Sequence, residues 1–215
     1  MKVLIIGASG RVGQETIKAA AEAGHEVLAF VRSPEKVEGL PAVAVQGDIS
    51  APVEKLVEVF QETKPEAIIF TAGSRGKALL EVDLYGAIKA IDAAEKAGIK
   101  RFIMLSSVKS LSPDEWDIPA LAPLRNYIIA KHVADRWLER STLDWTIAQP
   151  GPLHEDADTD LPRGLAIGEG KGGAIRISAV GKGLVALLDA PGSVHQAVEF
   201  TAGEQSVEDA LAPLR

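Results

Sequence analysis

The sequence of 215 residues predicts an α/β fold in which helices cover both faces of a doubly wound parallel sheet. Two observations support this fold class. Short apolar runs typical of buried parallel strands alternate five times with amphipathic helical patterns in the first half of the chain. The first apolar run ends in a glycine-rich turn that leads directly into a helical pattern. Such alternation forms right-handed crossovers and places ligands at the carboxyl ends of the strands.

The glycine-rich turn over residues 7–13 predicts a phosphate-binding site. A continuous apolar run over residues 3–6 predicts the strand before it, and the helical pattern after it ends at Gly24. The first N–H groups of that helix lack partners and, with the helix dipole, favour a pyrophosphate. Glycines permit the tight turn, the approach of the phosphates and close helix packing. The residues expected to contact a dinucleotide here are Gly7, Ser9, Gly10, Arg11, Val12 and Gly13.

The spacing of these glycines is Gly-x-x-Gly-x-x-Gly, which differs from the Gly-x-Gly-x-x-Gly form. An ordinary strand-to-helix turn is the alternative interpretation. No Gly-Lys-Ser or Gly-Lys-Thr follows, which argues against a P-loop nucleotide hydrolase.

Composition restricts the classes of function. The net charge of −7 and isoelectric point near 5.2 disfavour nucleic-acid binding, because phosphate neutralisation needs a basic surface. The chain has no cysteine, which excludes disulfides, thiolate metal ligands and cysteine nucleophiles, and we expect no metal site. The first apolar run is too short for a signal peptide or a membrane span. We therefore expect one cytoplasmic domain over residues 1–215, with a small-molecule substrate and neither nucleic acid nor membrane as partner.

The second predicted strand, residues 25–31, is followed by Arg32 where a site that prefers NAD usually has an acidic residue. A guanidinium there can bind a 2′-phosphate through charge-assisted hydrogen bonds, with Ser33 and Lys36 in reach. A solvated surface loop is the alternative. Arg32 therefore predicts that NADP(H) is preferred over NAD(H).

The third and fourth predicted strands, residues 42–46 and 67–70, also end in candidate coenzyme contacts. Asp48 is placed to meet the adenine amino group, with Ile49 beside it, although a turn aspartate is the alternative. Small residues that would let the chain cross the coenzyme ribose follow the fourth strand: Thr71, Ala72 and Gly73.

The remaining chain continues the alternation. Further helices are predicted at residues 52–61, 79–97, 121–140, 180–188 and 206–214, and further strands at residues 101–105, 143–148, 175–177 and 197–201. Pro123 predicts a bent or late start of its helix, and Ser206 is the predicted N-cap of the last one.

Substrate-side elements are expected mainly from residues 150–195. Pro150 opens a rigid loop there and is also an expected coenzyme contact. Residues 154–173 are polar and glycine-rich, which predicts a mobile lid. Within it, His154 and Arg163 are candidates to hold an acidic substrate, with simple solvation as the alternative.

The helix predicted over residues 121–140 carries Tyr127 and Lys131, which are four residues apart and so share one face. The pattern Tyr-x-x-x-Lys is common by chance in helices. Its position between the fifth and sixth strands favours a place in the ligand pocket.

Several motifs follow one another in order along the chain: Gly7-Ala-Ser-Gly10-Arg-Val-Gly13, Arg32, Asp48, Thr71-Ala-Gly-Ser74, Ser106-Ser107, Tyr127-Ile-Ile-Ala-Lys131 and Leu143-Asp-Trp-Thr-Ile-Ala-Gln-Pro150-Gly. Together they resemble the atypical short-chain dehydrogenase/reductases of the NAD(P)H-binding, NmrA-like and flavin-reductase-like group. The resemblance covers nearly the whole chain and depends on the order and spacing of the motifs. It implies a Rossmann-type fold with a nicotinamide coenzyme across the sheet.

The resemblance also implies roles for single residues. Tyr127 would donate a proton to a substrate carbonyl, Lys131 would bind the nicotinamide ribose, and a serine would orient the substrate oxygen. Ser107 is the preferred serine, with Ser106 and Ser110 as alternatives. The lysine ammonium would favour the phenolate and bring the pKa of Tyr127 nearer neutral pH.

The implied function is an NADP(H)-dependent oxidoreductase that reduces a small carbonyl, quinone or flavin substrate. One alternative is a non-catalytic NADP(H)-binding redox sensor that acts through a protein partner. Another is an isomerase or epimerase that uses the coenzyme transiently, although such enzymes usually have a larger C-terminal substrate domain than about 65 residues supply. A monomer and a homodimer are equally compatible with the sequence.

Overall fold

A computed structural model describes residues 1–168 and 173–215 of the chain. Within these residues, eight strands form one sheet and two short strands form a second. In chain order the strands are β1 (Lys2–Ile6), β2 (Glu26–Val31), β3 (Val43–Gln46), β4 (Ala67–Phe70), β5 (Arg101–Leu105), β6 (Asp144–Pro150), β7 (Leu153–His154), β8 (Gly164–Ile167), β9 (Ile175–Arg176) and β10 (Gln196–Gly203).

Helical segments connect these strands. The α-helices are α1 (Arg11–Glu22), α2 (Val53–Thr63), α3 (Tyr85–Ala97), α4 (Arg125–Glu139), α5 (Ile177–Ala186) and α6 (Val207–Ala210). A π-helical turn, Leu79–Leu84, precedes α3, and 3₁₀ turns occur at Pro34–Val37, Pro113–Glu115, Ala122–Leu124, Asp156–Asp158, Leu187–Asp189, Pro191–Ser193 and Ala212–Leu214. In the described ranges, no helix combines the length and the apolar character needed to cross a membrane.

The strand order of the large sheet is β3-β2-β1-β4-β5-β6-β10-β8. All neighbouring strands are parallel except β8, which pairs antiparallel with β10. β1 lies between β2 and β4, so the direction of winding reverses there, and a crevice opens at the carboxyl ends of β1 and β4. The predicted doubly wound parallel sheet is therefore confirmed.

Alternate residues of the central strands enter two hydrophobic cores, one on each face of the sheet. In β1, Val3 and Ile5 contribute to the core that includes α1 and α5. Leu4 and Ile6 contribute to the opposite core, which includes α2, α3 and α4. Both faces of the strand are buried, which explains why its sequence is a continuous apolar run instead of an alternating pattern.

Two helices have different starts from those the sequence predicts. The helix expected over residues 79–97 begins as the π-helical turn, and regular α-helix starts only at Tyr85. The helix expected over residues 121–140 begins with a 3₁₀ turn at Pro123 and becomes α-helical at Arg125. The late start confirms the expectation from Pro123, whose ring lacks the N–H that an α-helix interior needs.

The region after β6 differs most from the predicted elements. β6 extends through Pro150, which was expected in a loop. The expected mobile lid over residues 154–173 is wrong for β8, because this strand pairs with β10 at the edge of the sheet. Residues 169–172 of that expected lid lie outside the described residues. The sequence did not predict β8, because its partner β10 is distant in the chain and the glycine-rich pattern around β8 is typical of a loop.

In the C-terminal third, two helices also have bounds that differ from the predicted ones. α5 begins at Ile177, where the sequence suggested the end of a strand and a later helix start. The single closing helix expected over residues 206–214 is instead α6 followed by a 3₁₀ turn around Pro213. Ser206 caps α6 as predicted, since its hydroxyl accepts a hydrogen bond from Asp209 N at 3.1 Å.

Arg101 ties the first half of the sheet to the C-terminal elements. Its guanidinium donates hydrogen bonds to four acceptors at 2.6–3.0 Å: Asp144 O, Thr146 Oγ1, Leu187 O and Ser193 Oγ. Burial lowers the pKa of Arg101 to about 10, with Asp144 acting in the opposite direction, so the group remains cationic at neutral pH.

Replacing Arg101 with methionine is expected to lower the free energy of unfolding by about 3 kcal/mol, because it leaves partly buried acceptors without donors. Urea denaturation measures this change. Lys100→Met, at the exposed neighbouring residue, is the matched control and should change stability by less than about 0.5 kcal/mol. Equal effects of the two substitutions would show that the Arg101 hydrogen bonds do not stabilise the fold.

Candidate functional site

The crevice at the carboxyl ends of β1 and β4 contains two adjoining cavities. The first, here called the β2-side cavity, has a volume of about 200 Å³ and is lined by residues at the ends of β1, β2, β3 and β4. The second, the α4-side cavity, has a volume of about 470 Å³ and includes residues of α4. Four residues line both cavities and so join them into one cleft: Gly10, Thr71, Ala72 and Gly73.

The glycine turn after β1 requires its glycines for different reasons. Gly7 has a φ of +85°, and a Cβ there would stand 2.4 Å from Ala72 N on the neighbouring strand end. A Cβ on Gly13 would stand 2.3 Å from Gly7 O, so α1 packs directly against the turn. Gly10 has an ordinary φ of −77°, and its Cβ would meet only Gly7 O, at 3.1 Å.

The N-terminus of α1 is open toward the cleft. No side chain caps it, and its first turn contains no acidic residue. Unpaired N–H groups and the helix dipole therefore give this end a partial positive charge that suits a pyrophosphate. The residues of the turn that line the cleft are Gly7, Ser9, Gly10, Arg11 and Val12.

The β2-side cavity includes the residues predicted to contact the adenosine part of a dinucleotide. Arg32, Asp48 and Ile49 all line it. Arg32 makes no hydrogen bond or ion pair with any residue that the structure describes, so its guanidinium is available to an anion. Asp48 Oδ1 accepts a hydrogen bond from Ser50 N at 2.8 Å, so this aspartate also stabilises a turn.

The α4-side cavity contains two of the three residues proposed for catalysis. Tyr127 and Lys131 line it, one helical turn apart on α4. The third, Ser107, does not line the cavity, but its side chain interacts with the Tyr127 phenol and lowers the pKa of that group. Lys131 is only 2% exposed, and its Nζ donates a hydrogen bond to Leu105 O at 2.6 Å, which holds the ammonium at the end of β5.

The electrostatics of Tyr127 differ from the expectation that its pKa is lowered. Burial raises the pKa of Tyr127 to about 12, the carboxylates of Asp83 and Asp135 act in the same direction, and the hydrogen bond to Ser107 opposes them. The expectation was wrong because the burial of the phenol, and the two carboxylates near it, are not apparent in the sequence. Burial also lowers the pKa of Lys131, against the attraction of Asp135 and Asp83. The phenol is therefore a protonated donor at neutral pH.

Ser106 and Ser110 belong to a buried network behind the cleft wall. Their hydroxyls donate hydrogen bonds to Asp135 Oδ2 at 2.5 and 2.6 Å, and Gln149 Nε2 donates one to Ser110 Oγ at 2.7 Å. Asp135 Oδ1 has no partner among the described residues, and burial raises the pKa of this carboxyl to about 6, although Lys131 opposes the shift. Of the three candidate serines, Ser107 is thus the one whose side chain acts on the pKa of Tyr127.

Several other predicted residues line neither cavity: Gly13, Ser33, Lys36, Pro150, His154 and Arg163. Pro150 is buried in β6, where its carbonyl accepts a hydrogen bond from Val108 N at 2.9 Å. Arg163 lines a separate groove that also includes residues of α1, α5 and α6. His154 is exposed at the end of β7. From residues 150–195, Leu153 does line the α4-side cavity.

Arg11 connects the glycine turn to the loop after β7. Its Nη1 lies 2.7 Å from Glu155 Oε1, with side-chain exposures of 42% and 46%. An ion pair this exposed contributes at most about 1 kcal/mol. Arg11 can therefore exchange Glu155 for another anion at small cost.

Five residues that line the α4-side cavity were not singled out from the sequence: Arg75, Gly76, Asp83, Leu105 and Leu124. Asp83 is 1% exposed, and its Oδ2 accepts a hydrogen bond from Ser74 N at 3.0 Å. One signal in the sequence could have identified Asp83. It lies between Val82 and Leu84, and an acid flanked by apolar residues indicates a carboxylate that faces the protein interior.

The reversal of strand order, the glycine turn and the cleft above them define a dinucleotide-binding α/β protein of the Rossmann type. The model of the NAD(P)H-binding family matches residues 7–191. The chain therefore belongs to that family and is an atypical short-chain dehydrogenase/reductase with an NAD(P)H-binding fold.

Comparison with individual proteins agrees with this assignment. The chain is 38% identical to the Bacillus subtilis protein named uncharacterized sugar epimerase YhfK, with full coverage of both chains. It superimposes on the Lactococcus lactis oxidoreductase ylbE with a TM-score of 0.93, at 35% identity, over 100% of this chain and 96% of that one. It is also 31% identical to the photosystem II assembly factor Ycf39 of Synechocystis sp., over 69% of this chain and 44% of that protein.

Proposed function

We propose that the chain is an NADP(H)-dependent oxidoreductase that reduces a small carbonyl, quinone or flavin substrate. The observation that carries this proposal is that Tyr127 and Lys131 lie beside the glycine turn, in a cavity continuous with the coenzyme cleft, with the Ser107 side chain acting on the phenol. The description of ylbE as an oxidoreductase supports it.

The cleft has groups that suit each part of the coenzyme. The open N-terminus of α1 would hold the pyrophosphate, and a Cβ at Gly10 would narrow the approach to it. Asp48 would meet the adenine and Lys131 the nicotinamide ribose. A bound NADPH would supply the hydride that reduces the substrate.

Proton transfer is the task of the chain's own residues. The Tyr127 phenol is protonated at neutral pH and would give its proton to the substrate oxygen as negative charge develops there. An alkoxide oxygen is more basic than a phenolate, so a raised phenol pKa does not prevent this transfer. Ser107 would orient the same oxygen, and the buried Lys131 ammonium would stabilise the phenolate that remains.

Arg32 supports the preference for NADP(H). Its unpaired guanidinium lines the β2-side cavity at the end of β2, where a 2′-phosphate would lie in this fold class. We expect wild-type protein to bind NADPH more tightly than NADH. Arg32→Ala should weaken NADPH binding by about tenfold and leave NADH binding unchanged, since only the 2′-phosphate contact is lost.

Fluorescence titration with each coenzyme measures both affinities. Arg163→Ala is the matched control, because that arginine lines a different groove. Equal binding of the two coenzymes, unaffected by Arg32→Ala, would exclude the NADP(H) preference. Failure to bind either coenzyme would refute the proposed function itself.

Two other functions draw support from the relatives. The similarity to Ycf39, an assembly factor, favours a non-catalytic NADP(H)-binding protein that acts through a partner. The name of YhfK suggests an epimerase, which would use the coenzyme without net consumption. Net NADPH oxidation with added quinones, flavins or aldehydes separates the reductase from both.

A further inference from the structure

Arg75 is a charged residue of the α4-side cavity to which the mechanism above gives no role. We propose that Arg75 binds an anionic group on the substrate, so that the substrate is an apolar compound bearing a carboxylate or a similar anion. The inference rests on the proposed function only in taking the α4-side cavity as the substrate site. It specifies the chemical class of substrate, which the mechanism leaves open.

The loop that carries Arg75 is a defined turn at the end of β4. Ser74 N donates a hydrogen bond to the buried Asp83 carboxylate at 3.0 Å, and Lys77 N donates one to Ser74 O at 3.2 Å. Arg75 itself has a φ of +54°, and Gly76 follows with a φ of +81°. A left-handed non-glycine residue costs on the order of 1 kcal/mol, so this turn holds Arg75 in a conformation that an L-residue seldom adopts.

The charges of the cavity leave one cation without a partner. Its charged lining residues are Arg11, Arg75, Asp83 and Lys131. Three of them already have partners inside the protein: Glu155 for Arg11, Ser74 N for Asp83 and Leu105 O for Lys131. Arg75 has no hydrogen bond or ion pair with any residue in the ranges 1–168 and 173–215. The chain as a whole carries a net charge of −7, so a free cation here marks a local preference for anions.

The rest of the cavity wall is mainly apolar and determines the body of the substrate. The large apolar residues of the lining are Val12, Leu105, Leu124 and Leu153. A cavity of about 470 Å³ is large enough for a compound of one or two fused rings beside the nicotinamide. An apolar body with one anionic group therefore matches both the walls and the free guanidinium.

The anion that meets Arg75 could belong to the coenzyme pyrophosphate or to the substrate. Arg75 lines only the α4-side cavity, together with Tyr127 and Lys131, whereas Gly10 of the pyrophosphate turn lines both cavities. The pyrophosphate also has its own donors at the N-terminus of α1. These positions favour the substrate as the source of the anion.

Calorimetric titration with 2-naphthoate and 2-naphthamide tests the proposal without requiring turnover. The two probes have the same rings and differ in charge. Wild-type protein loaded with NADP⁺ should bind 2-naphthoate about tenfold more tightly than the amide. Arg75→Gln should abolish this preference, Arg75→Lys should retain part of it, and the control Arg163→Gln should retain all of it.

The same titrations without NADP⁺ identify the source of the anion. Loss of 2-naphthoate binding on addition of NADP⁺, or weaker NADP⁺ binding by Arg75→Gln, would assign Arg75 to the pyrophosphate and overturn the proposal. Equal affinities for the two probes, or no binding of either, would also overturn it. A protein that prefers 2-naphthoate but oxidises no NADPH would refute the proposed reductase and leave the anion site standing.

Discussion

Replacing Tyr127 with phenylalanine is expected to lower the turnover of a carbonyl substrate by about 10²- to 10⁴-fold, the range typical of a lost general acid. The substitution removes the hydroxyl that would donate the proton and leaves the ring in place. Coenzyme affinity should change little, since the phenol is assigned to the substrate oxygen. Steady-state NADPH oxidation with an aldehyde, together with coenzyme titration, measures both quantities.

The chain has one other tyrosine, which provides a control. Tyr85 is 57% exposed at the start of α3, so Tyr85→Phe should leave turnover unchanged. Turnover that survives Tyr127→Phe would remove the phenol from the mechanism. It would favour reduction of a flavin or quinone, in which the protein need only hold the two rings together.

The raised pKa of Tyr127 also predicts how kcat depends on pH. A phenol whose pKa is about 12 remains protonated as the pH rises through neutrality. We therefore expect no loss of kcat from its ionisation between about pH 6 and pH 9. A basic limb in that range that disappears in Tyr127→Phe would show that the phenol ionises far more readily than its burial allows.

The glycine turn yields the second large effect, because Gly13 and Gly10 respond differently to one added methyl group. A Cβ on Gly13 would overlap Gly7 O at 2.3 Å, so Gly13→Ala must separate α1 from the turn. We expect it to lower the free energy of unfolding by about 1–3 kcal/mol and to abolish coenzyme binding. A Cβ on Gly10 needs only a small adjustment, so Gly10→Ala should keep the stability of the wild type.

Gly10→Ala should nevertheless weaken coenzyme binding by at least about tenfold, since Gly10 lines both cavities and its missing side chain lets phosphates approach. Thermal denaturation and NADPH titration of the two variants measure the contrast. A Gly10→Ala protein that binds NADPH normally would place the pyrophosphate elsewhere. An unstable Gly10→Ala protein would show that the turn cannot accommodate a Cβ at this position, despite its ordinary φ.

The sheet and the coenzyme turn were predictable from the sequence because their signals are local. A buried parallel strand is a short apolar run, and the turn after β1 needs glycine at positions 7 and 13 for reasons of backbone geometry. The place of Arg32 at the β2-side cavity was also predictable, since this residue follows the second strand directly. Each of these inferences uses residues that are neighbours in the chain.

The parts that could not be predicted depend on contacts between distant residues. β8 is a strand only because β10, some thirty residues later, offers it an antiparallel partner. The pKa of Tyr127 is set partly by Asp83, which comes from a π-helical turn more than forty residues earlier. Arg75 was not singled out from the sequence, and only the fold places it on the cavity wall.

The antiparallel β8 has a consequence for self-association. A parallel sheet that ended on a long exposed strand would offer a row of free N–H and C=O groups to another molecule. Here the two terminal strands of the large sheet, β8 and β3, are four residues each, and β8 begins with a glycine. Edges this short are poor templates for further strands, and at the β8 edge this protection comes from the same C-terminal elements that complete the sheet.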